Sequence, residues 1–209
     1  RSLPDKICRM QKLALILNGE KPKTKISFAE YDALYCTDGA YHFLEEANIK
    51  PDLIIGDFDS IETLPKDIPN IHTPDQDFTD FEKALVIIRQ KGFQSVDVFA
   101  ANGLEQDHFL GNLSTALKYK KQLKIKFFDD KQTYYFINKV FKLNNVLNKT
   151  ISLYPFPKTK KVYSQGLKYP LNGMNLNMKK NQIGIRNEAI KDEIEISFEK
   201  GNLLVFVGN

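Results

Sequence analysis

In the first two-thirds of the chain, short apolar runs alternate with segments of helical period. Nearly every run closes on a Gly, Asp or Asn turn. Leu13–Leu17 closes on Asn18-Gly19, Ala33–Cys36 on Thr37-Asp38-Gly39, and Asp52–Ile55 on Gly56-Asp57. Val96–Ala100 and Ile125–Phe128 run into Ala101-Asn102-Gly103 and Asp129-Asp130. Strands covered on both faces read as continuous apolar runs, so the pattern predicts a mostly parallel sheet. Helical periods fill the gaps over 40–47, 80–91 and 107–121. In the second, Phe81, Ala84, Leu85 and Ile88 recur at i, i+3, i+4 and i+7. Thr79 and Glu82 form a capping box at its start, and Gly92 is its stop. Residues 1–138 are therefore expected to form a Rossmann-like α/β domain with flanking helices.

After residue 138 the segments become short, β-branched or aromatic, with Asn, Gly, Pro and Lys between them. Residues 150–154, 161–164, 167–171, 193–198 and 203–207 read as strands of a C-terminal all-β sandwich over 139–209. Hydrophobic residues at 42% and charged residues at 27% exclude wholesale disorder. The longest apolar runs are about five residues, far below the ~20 of a membrane helix, so no membrane partner is expected. No secretory pattern is visible. Cys8 and Cys36 cannot make a disulfide framework. As small buried hydrophobes they fit a reducing, cytoplasmic setting.

Charge is unevenly distributed. Residues 1–138 carry 18 Lys+Arg against 21 Asp+Glu, a net of −3, and residues 139–209 carry 12 against 5, a net of +7. The basic residues of the second part are scattered and accompany no nucleic-acid-binding motif, so no nucleic-acid partner is expected. The acids of the first part are concentrated. Between residues 52 and 80 stand Asp52, Asp57, Asp59, Glu62, Asp67, Asp75, Asp77 and Asp80 against one cation, Lys66. In an open parallel sheet, ligands bind where the strands end, which is where Asp38, Asp57 and Asp59 fall. Packed carboxylates repel, and a hard cation such as Mg²⁺, bridging them to phosphates, resolves the conflict. In an extended Gly56–Ser60 run, Asp57 and Asp59 would share one side while Phe58 points into the core.

Two further segments carry polar groups to strand ends. Thr73–Lys83 is a loop entering a helix at Thr79, whose free N–H groups suit an anion. Lys83, one turn beyond Asp80, is placed either to pair with it or to reach a phosphate. Gly103–Asn112 turns into a helix near Asp107, with His108 and Asn112 on one face. Neither G-x-x-x-x-G-K-[ST] nor G-x-G-x-x-G is present, which argues against a Walker NTPase or a dinucleotide dehydrogenase.

In this order, Asp38-Gly39, Pro51–Ser60, Thr73–Leu85, Gly103–Asn112, Gly166–Leu171 and Asn187-Glu188 resemble the thiamine pyrophosphokinase family over nearly the whole chain. The resemblance implies transfer of pyrophosphate from ATP to the thiamine hydroxyl, giving thiamine diphosphate and AMP. It implies Mg²⁺ on Asp57, Asp59 and Asp80, with Asp38 and Asp75 as supporting acids and Ser60 beside them. Gln76, Thr79 and Lys83 would contact phosphates or their waters, and Asp107, His108 and Asn112 would line the nucleotide side. It further implies a homodimer whose active site lies at the subunit interface. Three places depart from the family pattern. Leu104-Glu105 stands where a basic residue is usual, Asp38-Gly39-Ala40-Tyr41-His42 replaces Asp-Gly-Gly-Ala-Asn, and Arg186-Asn187 replaces a Ser-Asn pair of the thiamine pocket. Arg186 keeps open a pyrophosphokinase for another hydroxymethyl heterocycle, such as a pterin. Glu105 keeps open a non-catalytic thiamine- or nucleotide-binding protein.

Overall fold

The structure is a computed structural model and describes residues 11–61 and 63–209. The expectations for Cys8 and Glu62 fall outside those residues. The chain forms two compact units, Arg1–Ile125 and Lys126–Asn209.

In the first unit, β1 (Lys12–Ile16), β2 (Ala33–Thr37), β3 (Leu53–Gly56), β4 (Asn70–His72) and β5 (Ser95–Phe99) lie in the order β4-β3-β2-β1-β5. Every pair is parallel. The chain order reverses beside β1, with β2 on one side and β5 on the other, a position where loops leave opposite ways and open a crevice. Leu13, Ala14, Leu15 and Ile16 are fully buried, as the unbroken apolar run requires. β4 had no sequence signal, because its three residues (NIH) are polar at both ends and mostly exposed.

Three helices connect these strands. α1 (Asp38–Glu46) starts at Asp38, directly after β2, earlier than the expected 40. α2 (Asp80–Gln90) starts where its cap predicts, with the Thr79 hydroxyl accepting from the Glu82 N–H at 3.2 Å. It stops at Gly92, whose φ of 88° suits glycine. α3 covers Gln106–Tyr119.

The second unit is built of strands apart from the three-residue 3₁₀ turn Met178–Lys180. β6 (Lys124–Phe128) reaches into it and pairs antiparallel with β7 (Gln132–Ile137). β8 (Val140–Leu143), β9 (Thr150–Gln165), β10 (Asn172–Asn177), β11 (Gly184–Glu188), β12 (Ile194–Ser197) and β13 (Lys200–Gly208) follow. Their order is β7-β13-β9-β12-β8, with β10 and β11 also on β9. Ile151, Leu153, Val162, Ile194, Ile196, Leu203 and Val205 form its core.

Two strand expectations change here. Residues 150–154 and 161–164 join into the single 16-residue β9. Residues 167–171 are no strand; Gly166 turns the chain at a φ of 81°, and the segment makes a single isolated β-bridge, Leu167 to Ala189, in place of a ladder. No helix among the described residues is long and apolar enough to cross a membrane.

Candidate active site

The register of β2 against β3 sets Thr37 opposite Ile55. The next residue, Asp38, therefore comes beside Gly56. A Cβ on Gly56 would lie 2.3 Å from the Asp38 Cγ, so only glycine permits this approach. Asp38 is 4% exposed. Its carboxylate accepts from the N–H of Gly39 at 2.8 Å and of Phe58 at 3.0 Å. Burial pushes its pKa up; the two backbone donors oppose the shift, and the charges of Asp80 and Asp57 add to it.

Beyond Gly56 the chain turns. Phe58 has a φ of 67°, so this stretch is not extended, and the expectation that Phe58 enters the core is corrected. Its half-buried ring instead stacks on His72, with centroids 5.6 Å apart. The turn carries the Asp57 and Asp59 carboxylates to Asp38. One oxygen from each of Asp38, Asp57 and Asp59 lies within 4.8 Å of the others. Asp57 accepts from Gln76 Nε2 at 2.8 Å, which chiefly holds its pKa below the ordinary range. The Ser60 hydroxyl donates to Asp59 at 3.2 Å, and His42 Nε2 lies 2.9 Å from the Ser60 carbonyl oxygen.

The helix entry supplies the second wall. Asp75 accepts from the Asp77 N–H at 2.9 Å and shapes the loop. Asp80 pairs with the buried Lys83 at 3.0 Å, and Lys83 also donates to the Thr73 carbonyl at 3.0 Å. Of the two roles open to Lys83, pairing with Asp80 is the one these contacts occupy. The carboxylates that converge are thus Asp38, Asp57 and Asp59, with Asp80 ion-paired nearby.

A cavity of about 560 Å³ opens over these elements. Leu17, Asn18, Thr37, Ala100 and Ala101 line it from the ends of β1, β2 and β5, and Asp57, Gln76, Thr79, Asp80 and Lys83 from one side. Asp107, His108 and Asn112 line it from α3. Asp38, Asp59, Ser60 and Asp75 are not in that lining. Asn112 donates to the Ala101 carbonyl at 2.8 Å and so fixes α3 to the end of β5. Asp107 accepts from the His108 N–H at 3.0 Å, while the His108 ring faces the exposed Glu105 at 3.5 Å.

Sequence reasoning missed Asn18, Thr37, Phe78 and Leu104 in this lining. The Asn18-Gly19 turn at the end of β1 was a positional signal; a Cβ on Gly39 would meet Asn18 Nδ2 at 2.4 Å. Thr37 Oγ1 is buried without a hydrogen-bond partner. Arg186 and Asn187 belong to the second unit. Asn187 is buried, and its amide holds the Tyr169 backbone, accepting from N–H at 3.1 Å and donating to the carbonyl at 2.7 Å. Arg186 is exposed, with a φ of 56°.

Comparison with known proteins agrees with this architecture. The model of the thiamin pyrophosphokinase catalytic domain matches residues 25–127, and that of the thiamin pyrophosphokinase vitamin B1 binding domain matches residues 138–203. A thiamine pyrophosphokinase of Bacillus subtilis is 32% identical over 174 residues, covering 78% of this chain and 80% of that protein. The crystal structure of thiamine pyrophosphokinase from Bacillus subtilis superposes with a TM-score of 0.81 at 25% identity, over 95% of this chain and 99% of the other. Yeast thiamin pyrophosphokinase shares the fold at a TM-score of 0.81 and 15% identity, over 96% and 86% of the two chains. With a carboxylate cluster at the ends of β2 and β3, a cavity beside it and these matches along both units, the chain belongs to the thiamin pyrophosphokinase family.

Proposed function

We propose that this protein is a thiamine pyrophosphokinase, converting ATP and thiamine to AMP and thiamine diphosphate. The thiamine hydroxyl oxygen bonds to the β-phosphorus of ATP, the bond from that phosphorus to the α-phosphate oxygen breaks, and AMP leaves. The hydroxyl proton passes to solvent or to a carboxylate. Such a reaction asks the protein for positioning and charge neutralisation above all. The observation that carries the reading is the convergence of Asp38, Asp57 and Asp59 beside a cavity of about 560 Å³.

Three carboxylates, one of them buried, make a donor set suited to a hard divalent cation. They are the residues that would hold Mg²⁺, which when bound neutralises phosphate charge. Asp80, held by Lys83, would add a water-mediated contact. Gln76 orients Asp57, and Thr79 caps the start of the helix whose first N–H groups would face the phosphates. Asp107, His108 and Asn112 would line the nucleotide.

On this reading the Rossmann-like unit binds nucleotide and metal, the second unit, read as a sandwich, binds thiamine near Arg186 and Asn187, and the compartment is cytoplasmic. We read the active form as a homodimer with its site between subunits. Tyr163, Met174 and Ile185, half exposed on β9, β10 and β11, supply apolar surface for that contact.

Purified protein with ATP, Mg²⁺ and thiamine is expected to release AMP and thiamine diphosphate one for one, with no AMP when thiamine is omitted. Absence of both products overturns the proposal.

A further inference from the structure

Glu82 occupies the N3 position of α2, where a capping-box glutamate would turn back to the Thr79 N–H. Its carboxylate goes elsewhere. It accepts from the Tyr119 hydroxyl at 3.1 Å and from the Lys118 ammonium, both at the far end of α3. The Glu82 side chain is only 14% exposed, and Tyr119 is buried. Lys118 also stands 5.7 Å from the Phe78 ring centroid, directly before the helix cap. Arg89, on the last turn of α2, stands 5.8 Å from the Tyr119 ring centroid. One carboxylate, one phenol and one ammonium thus bind the first turn of α2 to the last turn of α3.

Both helices line the cavity. α2 brings Asp80 and Lys83, and α3 brings Asp107 and Asn112. We infer that Glu82 is a positioning residue for the reaction, setting the first turn of α2 against α3 so that the groups of both walls meet the substrate together. The inference rests on the function proposed above. Glu82 touches no reacting atom; it acts through Tyr119 and Lys118. Lys118 is more than half exposed, so the hold on the two helices rests chiefly on the charge-assisted bond from the buried Tyr119 hydroxyl to the sheltered Glu82 carboxylate. Misplacing a catalytic wall by a fraction of an ångström is enough to slow an in-line transfer.

The test compares wild type, Glu82→Ala and Glu82→Gln by steady-state kinetics with ATP, Mg²⁺ and thiamine, well below each variant's melting temperature. Amide hydrogen exchange over residues 78–83 and 106–119 is measured in parallel. Glu82→Ala is expected to lower kcat on the order of tenfold with a smaller change in KM for ATP, and to speed exchange in both segments. Glu82→Gln keeps an acceptor for the Tyr119 hydroxyl and is expected to recover most of kcat. A purely structural role would lower melting temperature and leave kcat of the folded enzyme unchanged. A kcat within twofold of wild type in Glu82→Ala, or unchanged exchange, overturns the inference. A wild-type protein without turnover overturns the proposed function instead, and the exchange data then decide whether Glu82 ties the two helices.

Discussion

Asp38 and Asp97 are both buried aspartates of the first unit, 4% and 6% exposed. Asp97, in β5, accepts from the Tyr31 hydroxyl at 2.9 Å and pairs with the Lys12 ammonium at 3.1 Å. Lys12 in turn lies 4.4 Å from the Tyr31 ring centroid. The charge of Asp97 is answered inside the chain, and burial with that charge raises the Tyr31 phenol well above its ordinary pKa. Asp38 has two backbone donors and, among the described residues, no ion pair, and Asp57 and Asp59 add like charge beside it. Burying a charge is costly unless it is paired. A buried carboxylate with a built-in cation therefore serves the fold. One surrounded by more carboxylates is the feature on which the proposed cation site rests.

The comparison breaks most sharply at Asp57 and Asp59. Asp57→Asn or Asp59→Asn is expected to lower kcat by about 10³-fold, the scale of losing a major electrostatic contact in the transition state. For Asp59→Asn the melting temperature should stay level or rise, since a crowded cluster loses a charge; Asp57→Asn also weakens the bond from Gln76 and should lower it slightly. A large stability loss with activity retained would make these acids structural.

Asp97→Ala is expected to do the reverse. It leaves Lys12 and the Tyr31 hydroxyl without their partner and should cost about 3 kcal/mol in urea denaturation, toward the low end for a buried pair because Lys12 is part-exposed. AMP release per folded molecule should not change. A drop in kcat would tie Asp97 to the site.

Gly56→Ala sharpens the Asp38 side. The new Cβ would sit 2.3 Å from the Asp38 Cγ, so Asp38 must move. A destabilisation of about 1–3 kcal/mol is expected, with loss of turnover. Unchanged kinetics would mean the position of Asp38 is not needed.

The smallest effect concerns Cys36, two residues before Asp38 on β2. Burial first, and the charge of Asp38 second, hold its thiol well above the ordinary 9.0. The unfolded thiol ionises near that value while the folded one stays protonated. Its contribution to stability is therefore complete below pH 9.0 and declines as pH rises further. Mass-mapped labelling of the folded protein at pH 8 should leave Cys36 unmodified, and labelling at the rate of the unfolded chain would contradict its burial.

Much of this was legible beforehand, for reasons that are local. The parallel strands betray themselves as unbroken apolar runs, because both faces are covered. The Thr79 cap and the Gly92 stop mark α2 through side-chain and backbone chemistry within a few residues. The acids of residues 57–80 are visible as an excess against one lysine. What escaped was of longer range or weaker pattern. β4 is an edge strand with hardly an apolar run. Phe58 adopts a left-handed backbone that its residue type does not announce. Thr37 and Phe78 reach the cavity only because of where their elements end.

Residue order alone determined where helices start, which strands are buried on both faces and that carboxylates crowd the strand ends, because caps, periodicity and charge density act over a handful of neighbours. It did not determine which carboxylates meet. Strand pairing decided that, since only the register of β2 on β3 brings Asp38 to Gly56 and the turn that follows. The partners of Asp80 and Glu82 were likewise settled by packing. Lys83 was near enough to be foreseen, whereas Tyr119 comes from a helix 37 residues away that only the folded chain lays alongside.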